Sequence, residues 1–133
     1  MVCAAVLAAA SLFGLSHRRR DGRLKVRGQE DERRLGAAEL GTELGERATL
    51  VQFSSAFCQP CRATRRTLAE VAGMVEGVSH VELDAEERLD LVRELNILKT
   101  PTVLVLDSAG RVVRRAAGAP RKVDVIAALG EAV

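Results

Sequence analysis

The chain has 133 residues, 47% hydrophobic and 29% charged, and this balance excludes a disordered or fibrous protein. Aromatic residues make up only 2%, with no Trp and no Tyr, which argues against nucleic-acid binding by base stacking. The net charge of +2 is unevenly distributed, because residues 17–34 sum to +4 and residues 35–133 to −2. The basic character therefore belongs to a segment near the N-terminus, which argues against a nucleic-acid-binding domain.

The first segment, residues 1–17, is apolar and is followed by three arginines, Arg18, Arg19 and Arg20. Its apolar run would span about 22 Å as a helix, short of the roughly 30 Å hydrocarbon core of a bilayer. We expect a membrane anchor that contacts the membrane through residues 2–16, with the following chain facing the cytoplasm because the arginines come after the apolar run. Two alternatives stay open: a domain outside the cytoplasmic membrane, and an apolar helix without a membrane role.

Residues 18–36 alternate in charge and are interpreted as a basic linker, with a possible short strand around Leu24–Val26. From Ala37 the pattern alternates between helices and strands. Helices are predicted over 37–44, 58–73, 86–95 and 120–131, and strands over 48–54, 78–84, 102–106 and 111–117.

This order predicts an α/β fold in which a small mixed sheet carries helices on both faces. The three strands separated by helices are expected to pair in parallel, and the final hairpin, turning at Asp107–Gly110, adds an antiparallel strand at an edge. The residues predicted to face inward from the last two helices are Leu89, Val92, Leu95, Val123, Ile126, Ala127 and Gly130.

The sharpest motif is Phe57-Cys58-Gln59-Pro60-Cys61, at the junction between a strand and a helix. Two intervening residues in a first helical turn bring the two sulfurs within bonding distance, and the helix N-terminus lowers the pKa of the first thiol. We therefore predict Cys58 as the exposed nucleophile and Cys61 as the buried, resolving cysteine. Pro60 stiffens the turn, and Gln59 lies where it tunes the reduction potential.

A zinc site is the alternative for such a pair, but the chain has no second C-x-x-C, and His17 and His80 are isolated in sequence. We therefore expect a redox pair with no metal and no organic cofactor. The third cysteine, Cys3, is interpreted as a bystander thiol, with an intermolecular disulfide as the alternative.

A second motif, Lys99-Thr100-Pro101-Thr102, precedes an apolar strand. This motif, the cysteine motif and the order of elements together carry a resemblance. Residues 37–133 resemble the thioredoxin family. The resemblance implies a thioredoxin-like fold and a cis Thr100–Pro101 peptide bond that packs against the cysteine pair. It also implies that the backbone of Thr100 pairs with an extended substrate chain.

The sequence departs from the family pattern at several positions. Phe57 stands where the family usually has Trp, Gln59 where it often has Gly, and Gln52 where it commonly has a buried acid. The Lys often paired with that acid falls near Glu82, for which two interpretations stay open: a substitute proton carrier, or a solvent-facing residue. Arg62 is a candidate for stabilising the thiolate or is part of a solvated helix face.

The expected function is a thiol–disulfide oxidoreductase that acts as a protein-disulfide reductase through Cys58 and Cys61. Its expected partners are disulfide-containing protein substrates and an upstream electron donor such as a reductase, with no nucleic acid. The alternatives are an extracytoplasmic disulfide oxidase or isomerase, and a thioredoxin-fold binding scaffold with weak redox activity.

Overall fold

The computed structural model describes residues 1–26 and 34–133. The described strands form one sheet in the order β1-β5-β4-β2-β3. The strands are β1 (Lys25–Val26), β2 (Ala48–Ser54), β3 (Val78–Asp84), β4 (Thr102–Asp107) and β5 (Val112–Ala117). The helices are α1 (Val2–Arg20), α2 (Ala37–Leu40), α3 (Gln59–Met74), α4 (Leu89–Glu94) and α5 (Lys122–Ala132).

Strand β2 lies between β4 and β3, and all seven of its residues are buried. It pairs in parallel with β3 but antiparallel with β4, so the prediction that all helix-separated strands pair in parallel was wrong for β4. The connection between β3 and β4, residues 85–101, contains only the six-residue helix α4, which spans about 9 Å against about 23 Å for a seven-residue strand and does not by itself carry the chain back along the sheet. The chain therefore re-enters the sheet near the end at which it left β3.

Each face of the sheet carries its own hydrophobic core. Helices α2 and α4 pack on one face around Phe53, and helices α3 and α5 pack on the other around Leu50. The α/β fold with helices on both faces is thus confirmed. The end of β2 lies between the two cores, and the cysteine motif follows it directly.

The predicted helix faces were confirmed in part. Near α4, Leu95 is fully buried and Val92 packs against the core as predicted, whereas Leu89 is exposed and Leu91 is buried instead. In α5 the predicted inward residues Val123, Ile126, Ala127 and Gly130 are all exposed, and the buried ones are Val125, Ala128 and Leu129. Because α5 is apolar on most of its circumference, helical periodicity alone does not select the face that packs against α3.

The membrane-anchor prediction, and the cytoplasmic placement derived from it, were wrong. Helix α1 exists, but in the described part of the chain no helix combines the length and apolarity needed to cross a bilayer. Its 19 residues include Arg18, Arg19 and Arg20 in the last turn, so only the preceding apolar part counts toward a span. All residues of α1 are exposed, including the free Cys3.

The segment after α1 joins the sheet. Strand β1, predicted around Leu24–Val26, pairs antiparallel with β5, placing Lys25 opposite Arg115 and Val26 opposite Arg114. Leu24 packs against the core formed by α3 and α5. Part of the predicted linker, residues 27–33, lies outside the described residues. The proposed division at residues 17 and 36 stays a prediction.

Candidate active site

The cysteine motif forms the turn between β2 and α3. Phe57 occupies this turn with a positive φ of 60° and a fully exposed side chain. Cys58 is the N-cap of α3, and Pro60 occupies the first turn, where its missing N–H leaves no helix hydrogen bond unmade. Gln59 is exposed beside Cys58. The strand therefore ends at Ser54, and the helix begins after the first cysteine.

Cys58 and Cys61 are joined by a disulfide, with their Cα atoms 5.2 Å apart. Cys58 is partly exposed, whereas only 1% of Cys61 is exposed. The backbone N–H of Cys61 donates to Cys58 Sγ at 3.2 Å. This N–H is one of the unpaired donors of a helix N-terminus, and it stabilises negative charge on the sulfur. The geometry thus makes Cys58 the accessible sulfur and Cys61 the sheltered one.

The loop before β4 lies beside this pair. The Thr100–Pro101 bond is cis, as the resemblance implied. Thr100 Oγ1 is 4.0 Å from Cys58 Sγ and hydrogen-bonds to Ser55 Oγ at 2.7 Å. Ser55, which sequence reasoning did not single out, thereby ties the loop to the end of β2. Pro101 is buried, and Thr100 is partly exposed next to the disulfide.

A polar cluster lies behind Cys61. Gln52 is fully buried on β2, and its amide nitrogen donates to the carbonyl oxygen of Cys61 at 2.8 Å and to Ser54 Oγ at 2.9 Å. Its amide oxygen lies 3.2 Å from Nε2 of His80 on β3. In the sequence, His80 is isolated from other candidate site residues. The signal available was its place in a strand expected to lie near β2, two residues before Glu82.

Burial lowers the pKa of the His80 imidazole; the Glu82 carboxylate opposes this, and the Arg65 guanidinium adds to it. Glu82 itself forms a two-point ion pair with Arg65, with nitrogen–oxygen distances of 2.6 and 2.7 Å. The Glu82 carboxylate is thus paired with Arg65 of α3 at the protein surface. This pairing favours the interpretation of Glu82 as a solvent-facing residue over that of a substitute proton carrier. Arg62 is exposed on α3.

The segment after α1 also reaches the rim of the site. Lys99, next to Thr100, forms an ion pair with Asp21. The N–H of Gly118 donates to the Pro101 carbonyl at 2.7 Å. Gly118 has a φ of +102°, and a Cβ there would lie 2.5 Å from the Asp21 carboxylate, so this position requires glycine. The sequence had placed Asp21 in a linker without a role.

Residues 37–131 match the family model described as Thioredoxin. The chain belongs to the thioredoxin family. The family domain and the Cys58–Cys61 pair together support thiol–disulfide oxidoreductase activity. The matched range contains both cysteines and the cis-proline loop, whereas α1 and β1 precede it.

Curated relatives agree with this assignment. Thioredoxin H2 of Arabidopsis thaliana is 33% identical over 72 residues, 54% of this chain and 53% of that protein. The thioredoxin of Alicyclobacillus acidocaldarius is 31% identical over 88 residues, 65% of this chain and 83% of that protein. The chain spans about half the length of the first of these relatives.

Solved structures show the same fold. The crystal structure of chloroplastic thioredoxin z superimposes with a TM-score of 0.58 at 27% identity, covering 65% of this chain and 78% of that one. Thioredoxin f from spinach chloroplast gives a TM-score of 0.58 at 26% identity, covering 66% of this chain and 78% of that one. The similarity therefore extends over the domain that carries the site.

Proposed function

We propose that the chain is a protein-disulfide reductase that acts through Cys58 and Cys61. The observation that carries this proposal is the cysteine pair itself, with one sulfur accessible at a helix N-terminus and the other buried one turn inward. Thr100 and the cis Pro101 lie beside the accessible sulfur. The chain's own thiols perform the chemistry, so the proposal needs no metal or organic cofactor.

The reaction is two successive thiol–disulfide exchanges. The Cys58 thiolate attacks a substrate disulfide, forming a mixed disulfide and releasing one substrate sulfur as a thiolate that takes up a proton. Cys61 then loses its proton, and its thiolate attacks Cys58 Sγ. This step releases the second substrate sulfur and forms the Cys58–Cys61 bond. Two electrons pass to the substrate, and an upstream donor such as a reductase returns them.

The groups around Cys58 Sγ favour electron flow from this protein to its substrate. In the part of the chain that the structure describes, this sulfur accepts from the backbone N–H of Cys61 and, at 4.0 Å, from the hydroxyl of Thr100, and both donors are neutral. Neutral donors stabilise an anion less than charged donors do. A pair whose reduced form is weakly stabilised gives up its electrons more readily, which supports a reductant. A reduction potential more negative than about −230 mV would agree with this role.

The surface around the pair supports a protein substrate. Phe57 is fully exposed, and Leu98 and Leu89 are 84% and 53% exposed. Leu98 and Leu89 line a shallow apolar depression that reaches Thr100. Exposed apolar side chains beside a reactive sulfur favour a partner that brings apolar surface of its own. An extended substrate segment would add main-chain hydrogen bonds at Thr100.

A dithiol-dependent assay of protein-disulfide reduction tests the proposal. We expect the wild type to accelerate reduction and Cys58→Ser to abolish the acceleration, because the nucleophile is lost. Cys61→Ser should accumulate covalent mixed disulfides, since the second exchange is blocked, and sequencing these adducts would identify the substrates. Cys3→Ser is the matched control: its thiol is exposed on α1 and should leave the rate unchanged.

A binding scaffold with weak redox activity is the second candidate. It is favoured by Gln52, an amide that does not titrate, at the buried position where the resemblance implies an acid. Wild-type turnover no faster than that of Cys58→Ser would support the scaffold and contradict the reductase.

A further inference from the structure

Gln52 is fixed on all its polar atoms. The amide nitrogen donates one hydrogen bond to the Cys61 carbonyl and one to Ser54 Oγ, and the amide oxygen faces His80 Nε2. The residue is fully buried, so a rotation of this amide would leave several polar groups without partners. Gln52 therefore connects Cys61 rigidly to the imidazole of His80.

His80 is the residue that contacts Gln52 on the side away from Cys61. In the parallel register of β2 and β3, His80 lies opposite Leu50, which is two residues before Gln52 and on the same face of the sheet. His80 is half-buried, and its Nε2 is directed at Gln52 of β2. The charged groups that act on it are Glu82, on its own strand, and Arg65, on α3, and these two form an ion pair with each other.

We infer that His80 is a positioning residue for the second exchange, holding Cys61 through Gln52 and favouring the Cys61 thiolate when the imidazole is protonated. The inference rests on the proposed function. With Nε2–H donated to Gln52, the imidazole orients the amide that binds the Cys61 carbonyl. A positive imidazole behind this amide attracts negative charge on the nearby sulfur. In the step concerned, the Cys61 thiol gives its proton to solvent before its thiolate attacks Cys58 Sγ.

The two exchanges are separable with 5,5′-dithiobis(2-nitrobenzoate), a small aromatic disulfide, and the full-length reduced protein in stopped flow. All variants carry Cys3→Ser, because the exposed Cys3 thiol would release thionitrobenzoate as well. The first release of thionitrobenzoate reports attack by Cys58, and the second reports attack by Cys61. A missing first release would contradict the proposed function. A normal first release with a second release insensitive to residue 80 would overturn only the present inference.

Two variants separate the hydrogen bond from the charge. His80→Leu removes both, whereas His80→Gln keeps an N–H donor that cannot become charged. We expect His80→Leu to slow the second release throughout the pH range. We expect His80→Gln to match the wild type near pH 8.5, where the imidazole is neutral, and to become about threefold to tenfold slower as the pH falls through the wild-type imidazole pKa, which NMR titration measures.

His17→Gln is the matched control, because His17 lies on the exposed helix α1. It should follow the wild type in both phases. Circular dichroism of each variant checks the fold, and His80→Gln remains informative if His80→Leu fails to fold. The inference is overturned if the second release of His80→Gln shows the same pH profile as that of His17→Gln.

Discussion

The two cysteines of this domain share one helical turn but lie in opposite surroundings. Cys58 is partly exposed at the N-cap of α3, beside the exposed Phe57 and the hydroxyl of Thr100. Cys61 is buried, and its carbonyl is held by Gln52, which in turn contacts His80. Cys58 lies beside a loop and is open to solvent, whereas Cys61 is held by a buried polar cluster. Reactivity at the site therefore has two independent structural supports.

Because the supports are separate, substitutions on one side should change one exchange step and leave the other nearly intact. The buried side has the larger expected effects, since removing a partner from a buried polar group costs more than removing it from an exposed one.

Replacing Gln52 by Leu should have the largest effect. The change keeps a similar volume but leaves Ser54 and His80 without their partner, and we expect a loss of about 1–3 kcal/mol in the free energy of unfolding. The second exchange should slow while the first persists. Urea denaturation and the two-phase assay measure both effects.

Ser54→Ala is the control for this substitution, because it removes one contact of Gln52 and leaves the contact with Cys61. It should be less destabilised than Gln52→Leu and keep a normal second exchange. Equal stability of Gln52→Leu and the wild type would show that the buried cluster does not support Cys61.

On the exposed side, Thr100→Val should have an intermediate effect. It removes the hydroxyl that bonds to Ser55 at 2.7 Å and lies near Cys58 Sγ, at a cost of about 1 kcal/mol. The first exchange should slow and the second should not. Thr67→Val, which removes an exposed hydroxyl from α3, is the control. A slower second exchange in Thr100→Val would break the proposed separation.

A smaller effect is expected in the pH dependence of stability. Burial lowers the pKa of folded His80 below its ordinary value of 6.5, so the unfolded chain binds more protons at mildly acidic pH. This contribution to stability is complete above pH 6.5 and is lost as the pH falls toward the folded pKa. Urea denaturation at pH 7.5 and 5.5 should show a steeper loss for the wild type than for His80→Gln. Identical losses would contradict the assigned pKa direction.

The smallest effect is expected for Glu82→Gln. The Arg65–Glu82 pair is exposed, so its loss should leave the midpoint of thermal unfolding almost unchanged. The carboxylate raises the pKa of His80, and its removal should therefore lower the imidazole pKa measured by NMR titration. An unchanged imidazole pKa would show that Glu82 does not act on the buried cluster.

The sequence predicted most of the fold correctly where patterns were unambiguous. The strand over Val78–Asp84 was located at the observed bounds, and the helix after the cysteine motif within one residue at each end. The prediction failed for α5, where a nearly continuous apolar run offers several faces to the core, and Val125 rather than Val123 is buried. It also failed for the direction of β4, which depends on how far α4 carries the chain.

For the site, the sequence predicted the residues of the local motifs and missed those that meet only in the folded chain. Adjacent residues identified Cys58 and Cys61, and a second local motif identified Thr100 and Pro101. No local pattern indicated that His80, 28 positions beyond Gln52, would contact its side chain. Likewise, nothing near Asp21 in the sequence indicated an ion pair with Lys99 at the rim of the site. Both contacts depend on strand pairing between distant segments.

By itself, the sequence determined the reactive pair, its position at a helix N-terminus and the family pattern, because each is encoded by residues within a few positions of one another. Only the tertiary structure decided what stands behind the second sulfur, which face of α5 is buried and how β4 is oriented. These depend on which distant segments come into contact, and a hydrogen bond or a packed face exists only once the sheet has brought its two partners together.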